Sequence, residues 1–362
     1  MNRPATPELV GLGSINVDLV IGTDRSAGID LTHPEIGLTD DDIGGERAVA
    51  PDRIDRAITH LSTAAQPIAS PGGSALNVVA GVAASGAPVT VGHVGVRGRR
   101  PPAPGIELDL GAWFGRLGID DRLVGSVDGP PGVCLAITRG TERTLLTTGG
   151  ANDRLGRWLA ERHEDVVDHL RAARIVHVTS LAGLDDLDPL LAVLDEIRRP
   201  GGDPGERRPL VSCDPGAIWT APDRPAAADA VLAHSDQLLV NRRELLALDG
   251  VDAVTDRWPA VGLVVEKGAD RVELHRRGRA TETVPNPEVL GEDRIVDDTG
   301  SGDAFAAGFL IGQLLDLAPS TGVELGMDLA RLKLGFPGVT GIEHYASVWR
   351  RLAERHRERL AR

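Results

Sequence analysis

Lysine is almost missing from this sequence: of 39 basic residues only Lys267 and Lys333 are lysines, and neither follows a glycine. A Walker-type phosphate loop needs Gly-Lys-Ser/Thr so that the ammonium reaches the β and γ phosphates. That way of holding a nucleotide is excluded. Cysteine is equally scarce, with Cys134 and Cys213 the two in 362 residues. Two thiols build neither a disulfide framework nor a zinc cage, which fits a reducing compartment. Aromatic residues make up 3% of the chain, so few platforms exist on which bases stack. A basic excess is missing too, the net charge being −14, and such a surface repels phosphate backbones and anionic lipids. No apolar run approaches membrane-spanning length, and the opening MNRPATPELVGLGS has no signal core. The expectation is a soluble cytoplasmic protein with no nucleic-acid and no membrane partner.

What is present is a core-forming pattern, with 41% hydrophobic residues. Apolar runs alternate with helix-length periodic segments, which predicts an α/β fold with a doubly wound parallel sheet. Strands are expected at Leu9–Ile15, Val89–Val96, Arg174–Thr179, Leu210–Cys213, Gln237–Val240 and Gly262–Val265. Helices are expected at Ala75–Ser85, Arg154–Arg171, Asp186–Arg198, Arg224–His234, Arg242–Leu248 and Ala304–Leu315, with an Arg-rich amphipathic tail over Tyr345–Arg362. Three stretches break the rhythm: acidic Asp24–Pro71 with a short helix at Arg53–Ala64, Arg/Pro-rich Arg97–Gly105, and the polar loop Pro200–Pro209. Gly132–Thr138 and Arg143–Thr148 alternate like a hairpin, and with Asp18–Thr23 they predict a small separate sheet covering the main one.

Ligands of open parallel sheets collect beyond the carboxyl ends of the strands. Those ends carry Asn16 and Asp18, Ser180, Asp214, Asn241 with Glu244, and Lys267 with Gly268. Each alone is explained as an N-cap of the next helix; together they suggest one crevice. The strongest local signal is Asp297-Asp298-Thr299-Gly300-Ser301-Gly302-Asp303, followed by the nearly apolar run Ala304–Leu310. A Gly-rich turn opening a buried helix presents unpaired amides and a positive dipole end, an anion site that needs no lysine. Gly300, Ser301 and Gly302 would supply those amides, and Asp303 stands where it can take a proton from an attacking hydroxyl. A calcium loop starting at Asp297 is excluded, because its twelfth position is Gly308 rather than a bidentate Glu. A purely structural helix-start turn is the alternative. A second Gly site, Gly72-Gly73, opens a helix one turn before Asn77; a plain loop-to-helix junction explains it equally well. Gly11-Leu12-Gly13 lacks the third glycine of a dinucleotide fingerprint, and that reading is rejected.

In this order the motifs resemble the ribokinase-like (PfkB) family of carbohydrate and nucleoside kinases, over nearly the whole chain. Gly13–Asp18 resembles the family's first strand, whose Asn and Asp bind substrate hydroxyls, and Gly72, Gly73 and Asn77 resemble its first signature. Gly149-Gly150-Ala151-Asn152 is similar to its Gly-Ala-Asn segment, Asn241–Glu244 to its Asn-x-x-Glu motif, and Asp297–Asp303 to its second signature. The resemblance implies a single ribokinase-like kinase domain over 1–362, with lid elements from about 18–70 and 132–148. It implies ATP and Mg²⁺, with Asp303 as catalytic base and Gly300, Ser301 and Gly302 around the phosphates. Asn16, Asp18, Gly72, Gly73, Asn77 and Asn152 would bind substrate, Lys267 and Gly268 the nucleotide, and Asn241 and Glu244 Mg²⁺ through waters. Asp297 occupies the position of a carboxylate that, in many relatives, faces a monovalent cation such as K⁺. A homodimer through the lid fits the same resemblance. The sequence departs from the family at Arg97–Arg100, where an acidic residue is usual, at Asp298, at Arg271, and around Gly335–Gly338. Between Asp18 and Thr148 only Trp113 and Phe114 could stack on a base, so a sugar is preferred over a nucleoside such as adenosine. Arg97, Arg99 and Arg100 add the option of an anionic sugar, and a catalytically idle nucleotide or sugar sensor is the rival from another class.

Overall fold

The computed structural model describes residues 6–22, 31–39, 43, 45–63, 65–102, 105–139, 142–179, 181, 187–199, 207–222, 224 and 226–355. Ser180, most of the Pro200–Pro209 loop and the end of the tail lie outside these residues. In chain order the strands are β1 (Leu9–Leu12), β2 (Asn16–Gly22), β3 (Glu46–Ala48), β4 (Ile68–Gly72), β5 (Val91–Gly98), β6 (Asp120–Val127) and β7 (Gly132–Arg139). They continue with β8 (Glu142–Thr148), β9 (Ile175–Thr179), β10 (Leu210–Asp214), β11 (Gln237–Asn241), β12 (Leu263–Lys267), β13 (Arg271–Arg276) and β14 (Glu282–Pro285). The helices are α1 (Pro51–Leu61), α2 (Ser74–Ser85), α3 (Leu110–Leu117), α4 (Leu155–Glu161), α5 (His163–Arg171), α6 (Asp188–Arg198) and α7 (Gly216–Thr220). After them come α8 (Ala226–Ala233), α9 (Arg242–Ala247), α10 (Gly250–Arg257), α11 (Ser301–Leu314), α12 (Pro319–Lys333) and α13 (Tyr345–Arg355).

The larger sheet has the order β14-β13-β12-β11-β10-β9-β1-β5-β6. From β12 to β6 every pairing is parallel, and β13 and β14 add an antiparallel edge. Strands such as β1 and β9 are buried along their whole length, as continuous apolar runs must be when helices cover both faces. One face packs against α2, α3, α11, α12 and α13, the other against α4, α5, α6, α8, α9 and α10. The predicted doubly wound parallel sheet is therefore present. The smaller sheet has the order β3-β8-β7-β2-β4, with β2 and β7 parallel and β7 and β8 a hairpin. Its own core is closed by α1, which turns Ile54, Ala57, Ile58 and Leu61 inward. Pro51 starts that helix, where its missing N–H costs nothing. No helix among the described residues is long and apolar enough to cross a membrane.

Several elements differ from expectation, each for a local reason. The single helix expected over 154–171 breaks at Arg162, whose backbone is non-helical at φ −117°, ψ 23°. β6 opens on Asp-Asp, and β13 alternates Arg and Glu with apolar residues, which hides both strands from an apolar-run criterion. α12 begins Pro-Ser-Thr-Gly, a loop-like opening. Gly72 closes β4 and pairs with Asn16 rather than lying in a free turn.

The longest helix contact in the core depends on glycine. A Cβ at Gly308 of α11 would lie 2.5 Å from the backbone N of Gly326 in α12, and one at Gly312 would lie 2.5 Å from Cα of Gly322. Gly308→Ala is therefore expected to destabilise the protein by about 1–3 kcal/mol through overpacking. Urea denaturation of the variant checks this, and unchanged stability would show that the helices separate without penalty.

Candidate active site

The carboxyl ends of β1, β9, β10, β11 and β12 open toward the smaller sheet, and two cavities lie in the space between. One, of about 510 Å³, is lined by Asn16 and Asp18 of β2, Asn77 of α2, Asn152 and the start of α11. The other, of about 610 Å³, is lined by Asp214, Asn241, Glu244, Lys267, Gly268 and Ser301. Ser74, Gly300, Gly302 and Asp303 belong to the walls of both. The start of α11 is thus a partition between two compartments.

Gly300 makes that partition possible. It precedes α11 with φ 75°, a left-handed conformation that glycine adopts without strain. Behind it the helix is apolar and buried, which fixes the turn in place; the Ser301 N–H, expected to face an anion, donates to the Asp298 carbonyl at 3.1 Å, which leaves the amides of Gly300 and Gly302 for that role. Asp303 stands in the first turn and accepts a 2.9 Å hydrogen bond from Nδ2 of Asn77. The other Asn77 atom, Oδ1, is buried with no protein partner. Burial pushes the Asp303 carboxyl up to about 6; Asn77 pulls it down, Asp214 pushes it up, and Lys267 lowers it again.

Asp18 faces the first cavity from β2 and is buried. Its carboxyl lies against Gly72, where an added Cβ would meet Oδ1 at 2.0 Å and push the carboxyl out of place. Burial raises its pKa to about 7, with Asp303 and Asp297 adding to the shift and Lys333 opposing it. Asn16 and Asn152 form a unit in which Asn152 Nδ2 donates to Asn16 Oδ1 at 2.7 Å. Asn152 Oδ1 accepts from the Ile15 N–H at 2.9 Å, so this residue sets the position of Asn16 with both ends of its amide. Gly73, at φ 105°, turns the chain into α2 between these groups.

In the second cavity Lys267 forms a half-buried ion pair with Asp214. Burial disfavours its charge, but Asp214, Glu244 and Asp303 outweigh that and hold the ammonium above its usual range. A Cβ at Gly302 would lie 3.4 Å from Nζ, so a lysine does stand at the anion turn, carried there by a strand end. Asn241 and Glu244 close a capping box: the Asn241 N–H donates to Glu244 Oε2 at 2.8 Å, and the Glu244 N–H donates to Asn241 Oδ1 at 2.9 Å. Glu244 is raised by burial and by Asp214.

Asp297 lines neither cavity. Its Oδ1 accepts from the N–H and hydroxyl of Thr299 at 2.9 and 2.7 Å, and its Oδ2 from the Gly338 N–H at 2.7 Å. The position expected to face a monovalent cation faces the Lys333 ammonium. Arg143 escaped the sequence reading altogether. From β8 it crosses to the turn and donates to Asp298 Oδ1 and Thr299 Oγ1, both at 2.6 Å, while lining the second cavity. Nothing local marks it among 37 arginines. None of the three arginines behind the anionic-sugar option, Arg97, Arg99 and Arg100, lines the first cavity: Arg99 donates to the Ser126 carbonyl and Arg100 pairs with Asp128. Arg271 bonds Asp270 and Glu273 and likewise stays out of the second.

A nine-stranded, mainly parallel sheet with a smaller sheet over its carboxyl ends, and a glycine turn opening a buried helix between them, is the architecture of ribokinase-fold kinases. The chain belongs to the pfkB family of carbohydrate kinases, whose profile matches residues 52–343. A fructokinase of Klebsiella pneumoniae is 30% identical over 172 residues, which cover 44% of this chain and 52% of that protein. The chain thus spans about half the length of this relative in the match. Among solved structures, adenosine kinase from Schistosoma mansoni in complex with 2-fluoroadenosine superposes with a TM-score of 0.73 at 15% identity, covering 93% of this chain and 97% of that one. A ribokinase from Thermotoga maritima superposes with a TM-score of 0.67 at 18% identity, covering 96% and 99%. At these identities the structures establish the fold.

The raised Asp18 carboxyl has a thermodynamic consequence. Unfolded, it titrates near 3.8; folded, near 7. Between those values the folded state holds a proton that the unfolded chain has lost, so this group's contribution to stability falls as pH rises through the window. Asp18→Asn is expected to stabilise the protein at pH 8 by up to about 4 kcal/mol, with the gain shrinking toward pH 4. Thermal melts across that range check it, and a variant no more stable at pH 8 would refute the buried charge.

Proposed function

We propose that this chain is an ATP-dependent kinase that transfers a phosphoryl group to a hydroxyl of a sugar. The observation that carries the reading is the shared wall: Gly300, Gly302 and Asp303 face both cavities, so one group can touch donor and acceptor at once. The sugar would occupy the first cavity, beneath the smaller sheet acting as a lid. Asn16, Asp18 and the unpartnered Oδ1 of Asn77 offer acceptors for its hydroxyls. Asp303 takes the proton of the attacking hydroxyl, whose oxygen bonds to the γ-phosphorus. The bond to the bridging oxygen breaks, and ADP leaves with that electron pair. Amides of Gly300 and Gly302 and the Lys267 and Arg143 cations face the charge on the transferring group. Phosphoryl transfer asks for positioning and charge neutralisation above all, and this inventory offers both.

Asp214 and Glu244 bring two carboxylates to the second cavity, where Glu244 is already disfavoured as an anion by burial and by Asp214. Such hard oxygen donors suit Mg²⁺. Glu244, held by the Asn241 cap, and Asp214 would hold the ion through waters; bound there, it would neutralise phosphate charge. Lys267 and Gly268 would line the nucleotide.

Against a nucleoside as acceptor stands the lining of the first cavity, which contains no aromatic side chain among the described residues. An ADP-release screen over sugars and nucleosides tests the proposal; a nucleoside outcompeting every sugar would replace the substrate, and no turnover at all would favour a sensor. Asp303→Asn is expected to lower kcat about 10²–10⁴-fold while the protein stays folded, since the amide can still accept from Asn77, and to gain stability at neutral pH, where the raised carboxyl would be ionised. Near-wild-type turnover would leave Asp303 a structural cap. The kcat/KM profile of the active enzyme should rise with pH through an apparent pKa near 6, the value of Asp303. Asp18→Ala is expected to lower kcat/KM by roughly 1.5–3 kcal/mol, the worth of a charge-assisted hydrogen bond.

A further inference from the structure

The turn that opens α11 is held from behind by a buried cation. Lys333 is the last residue of α12 and only 2% exposed. Its Nζ donates to the backbone carbonyl of Asp297 at 2.6 Å and lies 3.4 Å from Asp297 Oδ2. The two oxygens it holds, one carbonyl and one carboxylate, are the donor types that bind a monovalent metal ion. Around them the chain is closed. The Val296 N–H donates to the Leu334 carbonyl at 2.8 Å, and the Gly338 N–H donates to Asp297 Oδ2 at 2.7 Å. Asp297 Oδ1 is spent on Thr299, and Arg143 approaches it to 3.9 Å from the other side. With the ammonium facing both the carbonyl and Oδ2, Oδ2 also taken by Gly338, and a guanidinium nearby, these residues do not fit an additional K⁺.

We propose that Lys333 is a positioning residue that replaces a monovalent cation: its ammonium ties the Asp297 carbonyl and carboxylate together and so fixes the Thr299–Gly302 turn from within the chain. The inference rests on the kinase reading, because the turn it fixes is the one assigned to the transferring phosphate. A soluble ion binds and leaves with its concentration; a side chain anchored on α12 stays. The expected property is an activity and a stability indifferent to the monovalent ion. Burial holds the Lys333 ammonium below its usual range, and the adjacent Asp297 offsets part of that loss. Asp297 in turn is held below its usual range, the ammonium, Thr299 and Gly338 together overcoming its burial.

The test uses the whole protein and two readouts, phosphoryl transfer to the best acceptor of the screen and thermal melting. Both are measured in KCl, NaCl and choline chloride at equal ionic strength. For the wild type, rates within twofold and superimposable melts are expected. Tenfold activation, or a clear rise in melting temperature, specific to K⁺ would overturn the proposal. Lys333→Ala is expected to lose at least tenfold in kcat in choline chloride, with the KM for acceptor little changed. Ammonium or K⁺ should then restore rate and raise the melting temperature, since either can enter the space the side chain leaves. A folded Lys333→Ala with undiminished rate, or with a loss that neither cation restores, would reduce Lys333 to a packing role. Should the Ala variant fail to fold, Lys333→Met keeps the volume without the charge, and full activity there overturns the proposal. Absence of turnover on every acceptor would instead defeat the kinase reading, and the melting series would still decide the cation question.

Discussion

A helix start that leaves the Gly300 and Gly302 amides free, on a helix packed into the core, is the constraint around which this molecule is organised. α11 is buried along its whole body. Gly308 and Gly312 let it approach Gly326 and Gly322 of α12 to backbone contact. That contact sets the axial position of α12, and α12 ends on Lys333, whose ammonium reaches back 36 residues to Asp297. The small-residue packing in the core and the charge behind the turn are therefore one device. Slide α12 along α11 and the ammonium no longer meets the carbonyl.

Charge at the site is assembled against the grain of the chain. The protein is strongly acidic overall, yet both of its lysines lie beside this turn, Lys267 by Gly302 and Lys333 at Asp297. A guanidinium carries five donors in a rigid fork and needs as many acceptors when buried; an ammonium is compact and satisfied by fewer. Lys333 has one carbonyl and one carboxylate to serve, and Lys267 has Asp214. The arginine that does arrive, Arg143, comes from the half-buried rim of the smaller sheet and has two oxygens in front of it. The scarcity of lysine that excluded a Walker loop thus has a positive counterpart in where the two lysines are used.

What could be read along the sequence was what is encoded locally. The apolar runs of β9 and β11, the helix of α2 and the Asp-Thr-Gly-Ser-Gly-Asp turn carry their signals within a few residues; β9, β11 and α2 lie within a residue of the ranges expected, while α11 begins at Ser301, three residues before the expected start. The hairpin of β7 and β8 was legible from its alternation for the same reason. Partners that meet only through tertiary structure left no such mark. Arg143 and Thr299 are 156 residues apart, and Asn77 and Asp303 are 226 apart. Asn152 was visible as a polar residue in a recognisable segment, but that it serves Asn16 and the Ile15 amide depends on the return of β7 beside β2. β13 and β14 were hidden because an edge exposed to solvent can be built from Arg, Glu and Thr as well as from Val.

The carboxyl of Asp303 sits between opposing influences, and that balance bears on its chemistry. An Asp left at 3.8 would be ionised at neutral pH but too weak a base to draw a proton from an alcohol effectively. Burial and the neighbouring Asp214 raise it, which strengthens the base; carried further, the same influences would protonate it and remove the acceptor altogether. Asn77, Lys267 and Ser74 pull the other way, and the group settles near 6, mostly ionised at pH 7 and more basic than an exposed carboxylate. Asp18, deeper under the smaller sheet and with Lys333 as its compensating cation, is carried to about 7. One pocket thus holds two carboxyls whose environments set them apart. The less raised of the two is the one on the shared wall, where the proposed mechanism would have a proton taken up as the phosphoryl group crosses.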